Sequence, residues 1–176
     1  MQYERIQLIT AAPKFDAIAD IVANVRAVRS LAPIDAINDL RAFARRGDTA
    51  ALAWDGDTLA GCVCLTACHH FIQGAEWMPI KVALIRRGLD LARIGCSHFV
   101  YLHPDYWGQG HTLALNAHAR RSNRAFTHTL AHGFATSRLE DWAAQLPGAE
   151  DVGLPGPHGG RVFIREITPE ITADSS

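Results

Sequence analysis

The chain has 176 residues, 48% of them hydrophobic and 20% charged, with a formal net charge of −1. These totals describe about one domain with enough apolar material for a core, and they exclude bulk disorder. They also lack the basic footprint of a nucleic-acid binder, and no apolar run approaches the ~18 residues of a membrane span.

The opening residues, Met1-Gln2-Tyr3-Glu4-Arg5, lack the basic region and apolar core of a signal peptide. Four cysteines (Cys62, Cys64, Cys68, Cys96) are too few for a disulfide framework at this length. The expectation is a cytoplasmic protein with neither a nucleic-acid nor a membrane partner.

In chain order, residues 5–9 read as a short edge strand. Thr10 is then expected to cap a helix with Pro13 in its first turn and Phe15, Ile18, Val22 and Val25 on one face. Pro33 is expected to open a second helix, with Ile34, Ile37, Leu40 and Phe43 inward and Gly47 closing it. Residues 49–54 and 58–68 flank Asp55-Gly56-Asp57, a strong hairpin signal. Over 71–95, Pro79, Ile80, Leu84, Ile85, Leu89 and Leu91 fit one amphipathic helix imperfectly, with Gly88 costing about 1 kcal/mol inside it.

Residues 96–102 predict a strand that Pro104 stops, because proline removes a donor and fixes φ. A loop spaced by Gly108 and Gly110 follows, then a helix from about Gln109 to Ser122. The glycines let successive N–H groups turn toward one point, where the helix also aims its unpaired donors and its dipole. Such a strand–loop–helix junction suits a phosphate or diphosphate. Beyond it, Ser137-Arg138-Leu139-Glu140 is a capping box for a helix with Leu139, Trp142, Ala143 and Leu146 inward. Residues 147–160 read as a loop, 161–167 as an alternating closing strand, and 169–176 as a flexible polar tail.

The string His103-Pro104-Asp105-Tyr106-Trp107-Gly108-Gln109-Gly110 resembles the cofactor loop of the GCN5-related N-acetyltransferase (GNAT) superfamily. In that family a strand ends in Pro-acidic-aromatic-Arg-Gly-x-Gly-x-Gly, whose amides hold the diphosphate of acetyl-CoA. Pro104, Asp105, Tyr106, Gly108 and Gly110 match, while Trp107 stands where Arg or Gln is usual and Thr112 where Gly or Ala is usual. Shifting the register by two instead puts Asp105 in the Arg/Gln position. The order strand, two helices, hairpin over the first half is a second point of likeness. A third is the run from Ser122 and Ala125 through Thr129 to Gly133-Phe134, which resembles an Asn-x-x-Ala…Tyr…Gly-Phe segment but leaves no room for the strand that normally precedes it.

The resemblance implies one α/β (α+β) domain over 1–168, with a mixed, mostly antiparallel sheet flanked by helices. It implies acyl transfer from acetyl-CoA to an amine of a small molecule or a protein, with no metal, and it leaves a homodimer open. Cofactor contacts would come from Tyr101, Leu102 and His103 along the pantetheine arm, and from Trp107, Gly108, Gln109, Gly110, His111 and Thr112 at the diphosphate. Asn123 joins that set, and Arg120, Arg121 and Arg124 form either a solvated helix end or a 3′-phosphate contact.

Direct acyl transfer asks for proximity, a base near neutral pH and a fixed donor for the charged acyl oxygen. No Asp or Glu lies within 96–102, so His98 or His103, with reference pKa values of about 6.5, is the candidate base. Two-residue periodicity puts His98 on the face of Val100 and Leu102. Glu76 is a weaker base, and Tyr106 could act as acid where Thr129 replaces the family's Tyr. Thr129, Trp107 and Thr112 equally suit a domain that binds CoA and has lost turnover. His128 and His132 lack the Glu of a His-Glu-x-x-His zinc site, and a Cys96 nucleophile lacks the surrounding signature.

Overall fold

A computed structural model of the chain describes residues 1–132 and 148–167, apart from the side chains of Thr10, His98 and His158. The chain divides into two units, one from residues 1–67 and 96–122, the other from 68–95 and from residue 123 onward. The expected helix over 137–146 and the Gly133-Phe134 pair lie outside the described residues.

In the first unit β1 (Gln2–Gln7) leads into two 3-10 turns before α1 (Phe15–Val28) begins. Thr10 therefore sits inside a 3-10 turn and does not cap the helix. The chain is already committed there, because the Leu8 amide is bonded to the Asp48 carbonyl at 3.2 Å. The second helix, α2 (Ala36–Arg45), starts three residues after Pro33. Asp35 caps it, its Oδ1 accepting from the Asn38 amide at 3.0 Å, so the carboxylate and not the proline sets the start. Ile34, outside that cap, is exposed rather than inward.

The hairpin forms as expected: β2 (Thr49–Asp55) and β3 (Thr58–Ala67) pair antiparallel around Gly56, whose φ is +56°. Leu59 to Thr66 are all buried, a run that marks a strand covered on both faces. On one face α1 and α2 contribute Phe15, Ile18, Val22, Val25, Leu40 and Phe43 to a core shared with Leu52, Cys62 and Cys64. Each fully buried leucine here contributes about 1.5–3 kcal/mol. Burial pushes the Cys62 thiol up to about 12 and Cys64 well above its ordinary value, so both remain protonated core residues.

The second unit carries α3 (Cys68–Phe71), α4 (Met78–Arg86) and flanking 3-10 turns in place of one long helix. Gly88, with φ +76°, ends α4 by donating to the Ile85 carbonyl instead of weakening its interior. The next strand, β4 (Ile94–Leu102), runs on into the first unit, where it lies beside β3 and leads to α5 (His111–Arg121). Strand order in the first unit is β1-β2-β3-β4.

Next in the chain is β5 (His128–His132), followed by β6 (Ala149–Asp151) and β7 (Val162–Glu166). In the second unit these lie antiparallel in the order β5-β7-β6. Two expectations are corrected. A strand, β5, lies within the segment 122–134 after α5, with Thr129 buried in it opposite Arg165. The stretch expected to be only loop contains β6, and Val162, Phe163 and Ile164 are buried together rather than alternating. Among the described residues no helix is long and apolar enough to cross a membrane.

Candidate functional site

Near the end of β4 the backbone departs from regular pleat at Phe99, which has φ +53°. A left-handed phenylalanine costs about 1–2 kcal/mol. It is held there by burial of its ring, which meets Phe43 edge-on at 5.2 Å and Tyr101 at 5.6 Å. The irregularity breaks the two-residue alternation: Val100 is exposed while Leu102 is buried. Parity therefore does not set the direction of His98, whose side chain lies outside what is described.

After Leu102 the chain is tied to itself for four residues. The His103 amide donates to Ala60 of β3 at 2.8 Å, Tyr106 to the His103 carbonyl at 3.0 Å, and Trp107 to Pro104 at 3.0 Å. The Pro104–Tyr106 segment is thus one 3-10 turn. Then the internal pairing stops. The amides of Gly108, Gln109, Gly110, His111 and Thr112 have no acceptor among the described residues, and bonding resumes where Leu113 and Ala114 donate to the Gly110 carbonyl. Gly108 (φ +76°) and Gly110 (φ +78°) are left-handed, and a Cβ on either would meet nothing within 4 Å. Five consecutive N–H donors without an acceptor among the described residues, at the positive end of α5, form a donor set suited to a diphosphate.

Side chains fix this loop from outside. The Trp107 indole N–H donates to the Leu102 carbonyl at 2.7 Å, and the Arg29 guanidinium lies 4.9 Å from the centre of the indole ring. Gln109 Nε2 donates to the Asp105 carbonyl at 3.0 Å. The Tyr106 hydroxyl donates to Asp55 Oδ2 at 3.0 Å, which raises the phenol above its ordinary value, chiefly through that hydrogen bond. Replacing Asp55 by Asn is therefore expected to lower the Tyr106 titration. The phenolate absorbance of that variant, corrected against Tyr106→Phe, checks this; an unshifted curve would mean the bond does not persist in solution.

His103 is held from two sides. Its Nε2 lies 2.9 Å from Asn24 Nδ2 on α1, and its Nδ1 lies 3.5 Å from Asp105 Oδ2 and 3.4 Å from the Asp105 amide. The Asp105 amide donates to Nδ1, and the direction of the Nε2–Asn24 contact follows from the tautomer.

No protein-family model and no curated protein sequence matches the chain. Solved structures do. An acetyltransferase from Thermus thermophilus superposes with a TM-score of 0.65 at 12% identity, over 95% of this chain and 98% of that one. An acyl-CoA N-acyltransferase from Pseudomonas aeruginosa gives 0.65 at 14%, over 93% and 98%. An N-acetyltransferase from Thermoplasma acidophilum in complex with coenzyme A gives 0.57 at 9%, over 95% and 100%.

The fold is that of the GNAT acetyltransferases.

On this GNAT fold the sequence-predicted residues fall into three groups. The amides of Gly108, Gln109, Gly110, His111 and Thr112 have no acceptor among the described residues. Trp107 differs, because its amide is bonded to Pro104, and it is the indole that reaches β4. His103 likewise has no spare main-chain donor toward an added strand, since that N–H is bonded to Ala60, and the Leu102 carbonyl accepts from the Trp107 indole. Tyr101 contributes through its hydroxyl, which accepts from Arg26 Nη1 at 3.2 Å.

Asn123 is buried, and its Oδ1 accepts from the Ala125 amide at 3.2 Å in the turn after α5. Glu76 belongs to the second unit, curled over Gly74. Among the described residues no group of three or more His, Cys, Asp or Glu could hold a metal ion. Sequence reasoning missed Asn24, Arg29 and Asp55. Each sits on an exposed helix face or hairpin tip, and only the three-dimensional fold brings it to the loop.

Proposed function

We propose that this chain is an acyl-CoA-dependent N-acyltransferase that moves an acetyl group from acetyl-CoA to an amine of a small molecule or a protein. The observation that carries the reading is the run of five unpaired amides from Gly108 to Thr112, at the end of β4 in a GNAT fold. Acetyl-CoA supplies the activated acyl group as a thioester. The loop amides would hold its diphosphate, and the end of β4 would run beside its pantetheine arm. Held in that way, an amine placed beside the thioester reacts as if intramolecularly.

The amine must arrive neutral, and His103 is the group placed to take its proton. Its ring is oriented by the Asp105 amide, which donates to Nδ1, and by Asn24 at Nε2. Nε2 lies beside the Asn24 carboxamide at an exposed position, so an incoming amine there would displace it. Tyr106 is a poor proton donor here, because Asp55 raises its phenol.

That same pair of engaged groups, His103 and Tyr106, favours one other reading, a GNAT-like module that binds CoA without turnover. Calorimetric titration with acetyl-CoA, followed by thiol release against a panel of amines, separates the two. Acceptor-dependent thiol supports the transferase; tight binding without it supports the module; no binding defeats both.

A further inference from the structure

Where the family pattern has Arg or Gln, this loop has Trp107, and the surrounding charge does not compensate. From Ile94 to Ala119 the sequence contains no Lys or Arg and one carboxylate, Asp105. Arg120 and Arg121 follow only in the last turn of α5, at the opposite end of the helix from the loop. A diphosphate bound at the loop by amides would draw a nearer cation from another element.

Two arginines of α1 and its C-terminal cap reach this region. Arg26 is already committed, its Nε donating to the Ala32 carbonyl at 2.6 Å and its Nη1 to the Tyr101 hydroxyl. Arg29 is different: it is exposed, has no carboxylate partner among the described residues, and lies over the Trp107 ring at 4.9 Å. Both partners of that contact are fixed. The indole is pinned by its bond to Leu102, and the backbone of Arg29 is set by its amide bond to Val25 and by Ser30 beside it, whose φ is +54°. A guanidinium stacked on an aromatic face keeps its in-plane N–H donors outward, where they can grip an anion.

We infer that Arg29, carried on the face of Trp107, supplies the positive charge to the diphosphate of the CoA cosubstrate. A residue from the end of α1 thus replaces the missing motif arginine, and Trp107 changes from a phosphate ligand into a platform. The inference rests on the acyltransferase reading above, specifically on CoA binding at this loop.

The test is calorimetric titration of CoA and of dephospho-CoA into wild type, Arg29→Ala, Arg29→Lys, Trp107→Leu and the Arg29→Ala/Trp107→Leu double variant. Loss of one charge-assisted contact should weaken both ligands equally, by about tenfold, in Arg29→Ala. Arg29→Lys should recover part of the loss, and the double variant should bind no worse than the weaker single one. Melting temperatures should stay close to wild type, because Arg29 is exposed. Unchanged affinity in Arg29→Ala overturns the inference, as does additive loss in the double variant. So does a loss confined to CoA, which would assign Arg29 to the 3′-phosphate. A wild type that binds no CoA overturns the acyltransferase reading itself, and that outcome is distinct from the other three.

Discussion

Replacing Gly61 by valine is expected to lower the melting point by about 8–16 °C, and alanine should already lower it by several degrees. Gly61 lies in β3 opposite Ala53, next to an irregularity in the β2 register. A Cβ there would stand 2.8 Å from Leu102 Cδ1, 2.9 Å from the Tyr101 carbonyl oxygen and 3.4 Å from Leu102 Cα. The leucine methyl can rotate away. The carbonyl cannot, because it is backbone of β4 in the stretch that ends at the loop.

Overpacking of this kind costs about 1–3 kcal/mol for the first methyl and more for a branched side chain. Against a total stability of about 5–15 kcal/mol, a loss of about 4 kcal/mol in Gly61→Val is large. For a chain of this length each kcal/mol corresponds to about 2–4 °C in Tm. Thermal unfolding of both variants reads the effect directly. Adding Leu102→Ala removes the movable contact and leaves the carbonyl contact. If that addition restored wild-type stability, the backbone would not be what forbids a side chain at position 61. In the folded Gly61→Ala protein the end of β4 must shift, so acetyl-CoA affinity should fall as well.

Gly61 also shows which parts of this molecule could be read from residues near one another in sequence. The Asp55-Gly56-Asp57 turn and the strand–Pro104–glycine loop–helix order were legible because proline and glycine act within two or three residues of themselves. The register that makes Gly61 obligatory, by contrast, depends on a strand some forty residues away.

The bend at Phe99 was invisible for a related reason. Phenylalanine carries no left-handed preference, so the conformation is imposed by its place against Phe43 and Tyr101. β5 was missed because His128 to His132 offers little β-branched or aromatic signal. β6 has three residues within a Gly- and Pro-rich stretch, and only its pairing with β7 makes it a strand. In the candidate site the donors of the main chain were legible and the side chains around them were not. Asn24, Arg29 and Asp55 occupy positions that a solvated face would fill equally well.

Substituting both Gly108 and Gly110 by alanine is expected to weaken acetyl-CoA binding by about a hundredfold while leaving the fold intact. The two effects separate because of where the cost falls. Both glycines are left-handed, and an alanine in that region costs about 1–2 kcal/mol. Neither Cβ would meet an atom within 4 Å, so no packing is lost. Without a ligand, the loop can relieve that torsional cost by turning its peptides over, and Tm should move little. If these amides hold the ligand, binding draws on the left-handed form in which the loop leaves the amides from Gly108 to Thr112 without an acceptor among the described residues. The ligand must therefore restore it, at a total of about 2–4 kcal/mol for two residues, close to a hundredfold in affinity. Asparagine tolerates the left-handed region better than other residues with a Cβ, so Gly108→Asn and Gly110→Asn should lose least and Gly108→Val and Gly110→Val most. Calorimetry on this series supplies the ranking. Equal affinities for Asn and Val at these positions would show that the loop's handedness does not matter to the ligand, and the five amides would then not be the diphosphate site.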